Sequence, residues 1–284
     1  MKKLLPLLLS LLLLTGCTKA YDGPTEAKTV RSGETYCGYN SDGSVSYSTR
    51  TEYAYDTYGN RVQYLEFTND KLTGKSRVEY DEAGNMRKAT HYSRPLWLPD
   101  YSWEYTYDAQ GRKTSETHRD GFEVYTTTYT YDDAARTRTT TYSDGSHYKV
   151  WLDEAGNATR SERTIVGQDT ILTQWERSED GKTMTTQSYR NGQLISSEEY
   201  TYDDQGRMLT WCVTEDGVTT VNYSYEYGET YEKCTYDFGG YDITNFAPDG
   251  TTIDRLHYNA DGTLQGRTVY HYTEIQVPAK EGSP

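Results

Sequence analysis

Aromatic rings that alternate along an extended segment can stack on sugars, on peptides or on one another. Tyr101, Trp103, Tyr105 and Tyr107 alternate in this way, and in a strand they would share one face. Trp97, in a segment flanked by Pro95 and Pro99, and Trp151, one residue out of step with the neighbouring tyrosines, join Tyr101 and Trp103 as candidate ligand contacts. The plainer alternative is that such rings pair across strands as the core, at about 0.2–1 kcal/mol per pair. Other chemistries find less support. His91, His118, His147, His257 and His271 show no metal-binding spacing, so no metal and no cofactor is expected. There is no Gly-x-Ser-x-Gly and no phosphate loop, and Cys37, Cys212 and Cys234 have no neighbouring histidine. Asp132-Asp133, Glu198-Glu199 and Asp203-Asp204 fall mainly at expected turns, whereas a glycosidase needs two carboxylates set apart across a cleft. No residue is assigned a catalytic role, and the chain is not expected to be an enzyme.

The elements that position these rings follow from composition. There are 30 Tyr and 42 Thr, but only 28 Leu, Ile and Val after residue 17. That excludes a helical bundle or a doubly wound α/β enzyme, whose cores are rich in aliphatics. Tyr and Thr suit a pleated, half-buried surface. The net charge of −14 becomes −16 once the leader's Lys2 and Lys3 are set aside. Such a surface repels nucleic acid, so none is expected as a partner.

Repetition dominates the chain. Tyr53–Gly59, Tyr105–Gly111 and Tyr200–Gly206 match Tyr-x-Tyr-Asp-x-x-Gly, and degraded copies end at Gly84, Ala135, Gly156, Gly181, Gly228 and Gly262. Tyr-x-Tyr reads as strand, Asp as an Asx-turn, and Gly as the left-handed residue that closes a bulged hairpin. Ala135, in the glycine place, implies about 1 kcal/mol of strain or a different turn. A second set of turns, Asp42-Gly43, Asp120-Gly121, Asp144-Gly145, Asn191-Gly192 and Asp216-Gly217, lies midway between the first. Turns about every 12 residues leave room for about 20 antiparallel strands and for no crossover helix. The fold class expected is all-β, a long antiparallel β-hairpin meander forming an open, coiled sheet. Its end strands would keep free edges where partners or other copies add.

Tyr-x-Tyr-Asp-x-x-Gly followed by Arg or Asn, as at Gly59-Asn60, Gly111-Arg112, Gly156-Asn157 and Gly206-Arg207, resembles the YD repeat, also called the RHS repeat. The resemblance covers residues 50–275. It implies a spiralling β-sheet, which in large RHS and teneurin-like proteins walls a shell and in polymorphic toxins encloses a toxin. The present chain is too short for a closed shell with cargo.

The first 17 residues, MKKLLPLLLSLLLLTGC, place two lysines before an apolar run too short to span a bilayer. Leu14-Thr15-Gly16-Cys17 resembles the lipobox of bacterial lipoproteins. The resemblance implies cleavage before Cys17 and a diacylglycerol on its sulfur, hence export and membrane attachment in a bacterial envelope. The expected organisation is a signal peptide at 1–17, a flexible tether at 18–34, a repeat domain at 35–277 and a disordered tail at 278–284. The function expected is a membrane-anchored surface scaffold for binding or adhesion, with a glycan or another surface protein as ligand. A companion of RHS-type toxin systems that docks on other YD shells is the alternative, and a hydrolase the third reading.

Cys212 and Cys234 occupy equivalent places, six residues after Gly206 and Gly228. In a hairpin meander an intervening strand separates them by about 10 Å, too far for a disulfide. None is expected between them.

Overall fold

The computed structural model describes residues 25–93, 98–215 and 217–279. These form twenty strands and, among the described residues, no helix. The first ten are β1 (Thr25–Tyr39), β2 (Val45–Tyr55), β3 (Arg61–Thr68), β4 (Lys71–Tyr80), β5 (Met86–Ser93), β6 (Pro99–Tyr107), β7 (Lys113–Asp120), β8 (Glu123–Asp132), β9 (Thr137–Tyr142) and β10 (His147–Leu152). The second ten are β11 (Ala158–Thr164), β12 (Ile171–Arg177), β13 (Thr183–Arg190), β14 (Gln193–Tyr202), β15 (Met208–Glu215), β16 (Val218–Tyr227), β17 (Tyr231–Tyr236), β18 (Tyr241–Phe246), β19 (Thr252–Tyr258) and β20 (Leu264–Pro278). Each pairs antiparallel with the next.

The repeat motif explains both the turns and the strand joints. In five turns the motif aspartate holds the loop with its carboxylate. Asp108 Oδ1 accepts the N–H groups of Gln110 at 3.0 Å and Arg112 at 2.8 Å, and Oδ2 accepts Arg112 Nε at 2.8 Å. Asp203 with Arg207, and Asp56, Asp81 and Asp153 with Asn60, Asn85 and Asn157, repeat the arrangement. The motif therefore ends in Arg or Asn because either side chain can return an N–H to the aspartate. Gly111 takes φ +76° between them, a conformation costly for any residue with a Cβ. At the Ala135 copy the turn changes type, and Arg136 takes the left-handed conformation at φ +51°.

The second tyrosine of the motif is a clip. Tyr55, Tyr80, Tyr107, Tyr131 and Tyr227 donate their hydroxyls to the carbonyls of Arg31, Arg61, Met86, Lys113 and Met208 on the preceding strand, at 2.5–2.9 Å. Phenylalanine would fill the space but lose that bond.

The sheet is closed, which corrects the expectation of an open meander with free ends. β1 pairs with β20 over thirteen residue pairs, from Thr25↔Pro278 to Gly38↔Gly266. Residues 25–34, expected in the tether, are the first part of β1. Following paired residues once round the ring returns to β1 displaced by about 20 residues, a shear near one residue per strand that fits the usual barrel tilt. The physical reason for closure is that every strand twists, and pairing the two ends satisfies two rows of backbone groups that an open sheet leaves bare.

A twenty-stranded ring is too wide for side chains to fill. Among the described residues the buried apolar side chains are few: Val30, Val78, Val150, Cys234 and Val277. Strand alternation and register divide the wall into two chemically distinct faces. One carries Tyr53, Tyr64, Tyr101, Trp103, Tyr105, Tyr129, Tyr200, Trp211, Tyr223 and their kin, and is called the tyrosine face below. The other carries Thr and Ser, as in Thr117, Thr126, Thr128, Thr139 and Thr141 across β7, β8 and β9. Most buried positions, including Val78, His91, Thr140, Val150, Ser161, Thr186 and Asp242, lie on the tyrosine face.

Candidate binding site on the tyrosine face

The register brings four strands' rings into one row. His91 on β5 lies opposite Tyr101 on β6, Trp103 opposite His118 on β7, and His118 opposite Tyr125 on β8. The ring centroids are 4.5 Å apart for His91–Tyr101, 4.9 Å for Tyr101–Trp103, 4.8 Å for Trp103–His118 and 6.2 Å for His118–Tyr125. His91 and Tyr101 stack within 5° and Trp103 and His118 within 16°. The row is anchored at one end and open at the other. His91 is buried, with Ser76 Oγ at 2.9 Å from Nδ1 and Ser93 Oγ at 3.3 Å from Nε2. Gly74 leaves room beside it, because a Cβ there would crowd Glu66 and His91.

At the open end Tyr125 is 48% exposed. It borders a recess of about 420 Å³ lined also by Tyr142, Asp144, His147 and Arg163. Asp144 is partly engaged by the Ser146 N–H at 2.8 Å. Burial, followed by the nearby carboxylates of Glu66, Asp100 and Asp120, raises the Tyr101 hydroxyl's pKa. A hydrogen bond to Glu123 raises that of Tyr125. Both phenols therefore stay protonated well above neutrality. The arrangement offers flat faces beside neutral hydroxyls, one cation and one carboxylate.

A second row occupies β14 to β17. Tyr200 and Trp211 stack at 6.0 Å, Trp211 and Tyr223 at 5.0 Å, and Tyr223 meets Tyr236 edge-on at 5.5 Å. Its polar edges are spoken for. Glu198 accepts the Tyr200 hydroxyl and, at 3.2 Å, Trp211 Nε1. Tyr236 donates at 2.5 Å to Asp242, only 4% exposed, which also takes Arg255 Nε at 2.9 Å and lies 2.8 Å from His257 Nδ1. Burial, then that bond to Asp242, pushes the Tyr236 pKa up to about 12. Contacts continue across the closing seam, where His257 meets Tyr36 on β1 at 6.1 Å and Tyr36 meets Tyr47 on β2 at 5.6 Å. Gly266 on β20 lies beneath, where a Cβ would collide with the Tyr36 ring. On the opposite face Asp254, also buried, holds Arg267 Nε at 3.0 Å and Asn245 Nδ2 at 2.7 Å.

Of the residues singled out from sequence, Tyr101 and Trp103 come together in the first row. Trp151 stands apart on the threonine-rich face of β10, between Lys149 Nζ at 4.9 Å and the Arg160 guanidinium at 4.6 Å from its ring. Trp97 and Cys17 lie outside the described residues. Cys37, Cys212 and Cys234 are free thiols, and β16 separates the last two as the meander requires. His91, His118, Tyr125, Tyr142 and Arg163 were not singled out from sequence. A signal existed for His118: the hairpin around Asp108–Gly111 sets its partner as Trp103. Among the described residues no group of three or more His, Cys, Asp or Glu could hold a metal ion.

No protein-family model and no curated protein sequence matches the chain. Among solved structures it is similar to the TcdB2-TccC3-TEV complex, with 13% identity, a TM-score of 0.34 and 83% of the chain covered. It spans 16% of the length of that protein. It is also similar to a porin-like protein from Bacteroides uniformis, with 12% identity, a TM-score of 0.40, and 89% of this chain and 99% of that one covered. For a porin-like protein from Bacteroides vulgatus the figures are 11%, 0.37, 87% and 99%.

Proposed function

We propose that the chain is a non-enzymatic glycan-binding scaffold of the bacterial envelope, with a wall of YD-type repeats anchored to the membrane through a lipid on Cys17. The observation that carries the binding role is the row of contacting rings Tyr101–Trp103–His118–Tyr125, edge-on at its first step and stacked at the next two, which runs into a recess with hydroxyl, carboxylate and guanidinium groups on its wall. Sugar rings present flat apolar faces and a rim of hydroxyls, and such a row offers a counterpart to each. Around the open end the exposed apolar side chains Phe122, Tyr125, Tyr142 and Val166 sit among Asp144, His147 and Arg163, a mixture that favours a sugar over a broad apolar protein surface. Docking on other YD walls along the whole length of two free end strands loses its basis, because those strands pair with each other and leave open only the overhang before Gly33 and after Val269.

The test is a glycan array probed with the wild-type protein and with Trp103→Ala. The proposal expects a defined set of polysaccharide hits that Trp103→Ala loses while its circular dichroism stays unchanged. Hits that persist undiminished in Trp103→Ala would remove the site, and an array without hits would remove the ligand class. The anchor has its own check: Cys17→Ala should shift the protein from the membrane to the soluble fraction, and unchanged partitioning would contradict it.

A further inference from the structure

β1 and β20 outrun the rest of the wall. Each has 15 residues. β1 pairs with β2 only from Gly33 onward, and β20 pairs with β19 only as far as Val269. Residues 25–31 and 272–278 therefore continue past the rim as a two-stranded ribbon. One face of the ribbon is held down. Val30 and Val277 are buried, and Val277, Ile275 and Lys28 approach Gly59 at the turn between β2 and β3. The outer edge of β1 is not covered: Thr25, Glu26, Ala27, Lys28 and Thr29 are all exposed. Among the described residues no strand pairs with that edge before Gly33.

The edge has a symmetry written into it. Thr25-Glu26-Ala27-Lys28-Thr29 is a palindrome about Ala27 with the charge inverted. Laid antiparallel on itself and centred on Ala27, it puts Thr25 opposite Thr29, Glu26 opposite Lys28 and Ala27 opposite Ala27. Opposite charges and Thr–Thr pairs directly across strands are the favourable combinations. Centring the pair on Lys28 or on Glu26 instead faces like charges against each other. The charges thus guard the edge against arbitrary strands, as edge lysines do, while admitting one register with a copy of the same segment. We propose that this edge pairs with the same edge of a second copy of the chain, making a two-fold symmetric dimer through residues 25–29. Such an interface is isologous and closes at two copies. It rests on the overhanging ribbon and is independent of the glycan-binding reading.

Ala27 lies on the two-fold axis, so Ala27→Cys brings two thiols face to face. Directly opposed residues of an antiparallel pair have Cα atoms about 4.5–5.5 Å apart, within reach of a disulfide. The full chain carrying Ala27→Cys, mildly oxidised and run without reductant, should give a covalent dimer well above the wild-type background from the native cysteines. Adding Lys28→Glu should reduce the dimer at least tenfold, because Glu26 then faces a glutamate. Adding Glu26→Lys together with Lys28→Glu reverses both charges and should restore it. All five positions are exposed, and unchanged circular dichroism establishes that each variant folds. An Ala27→Cys protein that stays monomeric, or a dimer yield indifferent to Lys28→Glu, overturns the proposal.

Discussion

The two aromatic rows of the tyrosine face use the same ring types at similar spacing and come to opposite ends. In the row from β14 to β17 the polar edges are consumed: Glu198 takes Tyr200 and Trp211, and buried Asp242 takes Tyr236 and Arg255. That row leads into the seam that closes the ring, through His257 and Tyr36. In the row from β5 to β8 the His91 end is fastened inside the wall, and the far end opens onto the recess at Tyr125, whose hydroxyl meets the exposed Glu123. An aromatic ladder is thus a weld or a platform according to whether carboxylates lodged in the wall close its edge, as Glu198 and Asp242 do, or only an exposed one meets its end, as Glu123 does.

The largest effect is expected at Asp242. Asp242→Ala should destabilise the protein by about 3 kcal/mol, the low end for a severed buried pair, because Arg255 is partly solvated. Chemical denaturation checks it, and a loss under about 1 kcal/mol would show that the seam does not depend on this cluster. Truncating the two tryptophans sharpens the contrast. Trp211→Ala should cost about 2 kcal/mol, less than a fully buried tryptophan, and leave glycan binding intact. Trp103→Ala should cost about 1 kcal/mol and abolish binding. If the two variants behave alike in both assays, the distinction between weld and platform fails. The smallest effect is expected from the clip. Tyr107→Phe loses its bond to the Met86 carbonyl and should cost about 1 kcal/mol, whereas Tyr105→Phe, with no such bond among those described, should be nearly neutral. Equal melting temperatures for the two would deny the clip its role.

Much of this architecture was legible in the residues. Asp and Gly at steady intervals mark the turns, and Tyr-x-Tyr marks the strands and the shared face. The meander also places Cys212 and Cys234 on either side of β16. Closure was not legible, for a physical reason. The strand that closes the ring begins in Thr25–Glu34, a polar stretch without the motif, and its partner lies beyond the last motif glycine at 262. Neither announces itself locally, and their pairing is a property of the accumulated twist and tilt of eighteen intervening strands. The recess was hidden in the same way. Tyr125 and Tyr142 come from one hairpin and Arg163 from the next but one strand beyond it, and the three meet only once the register across β8 to β11 is known. Trp151 illustrates the converse. Its step out of the tyrosine pattern puts it on the other face, opposite Arg160 and Thr137, and that placement removes it from the row.

The wall is a ring. In a linear meander β1 and β20 would sit at opposite ends of a sheet about 90 Å across. In the ring Thr35 and Val269 are directly paired. The double variant Thr35→Cys/Val269→Cys should form an intramolecular disulfide in high yield under mild oxidation, identified by peptide mass mapping of monomeric protein. Recovery of the two cysteines as free thiols, or linked only between molecules, would contradict closure.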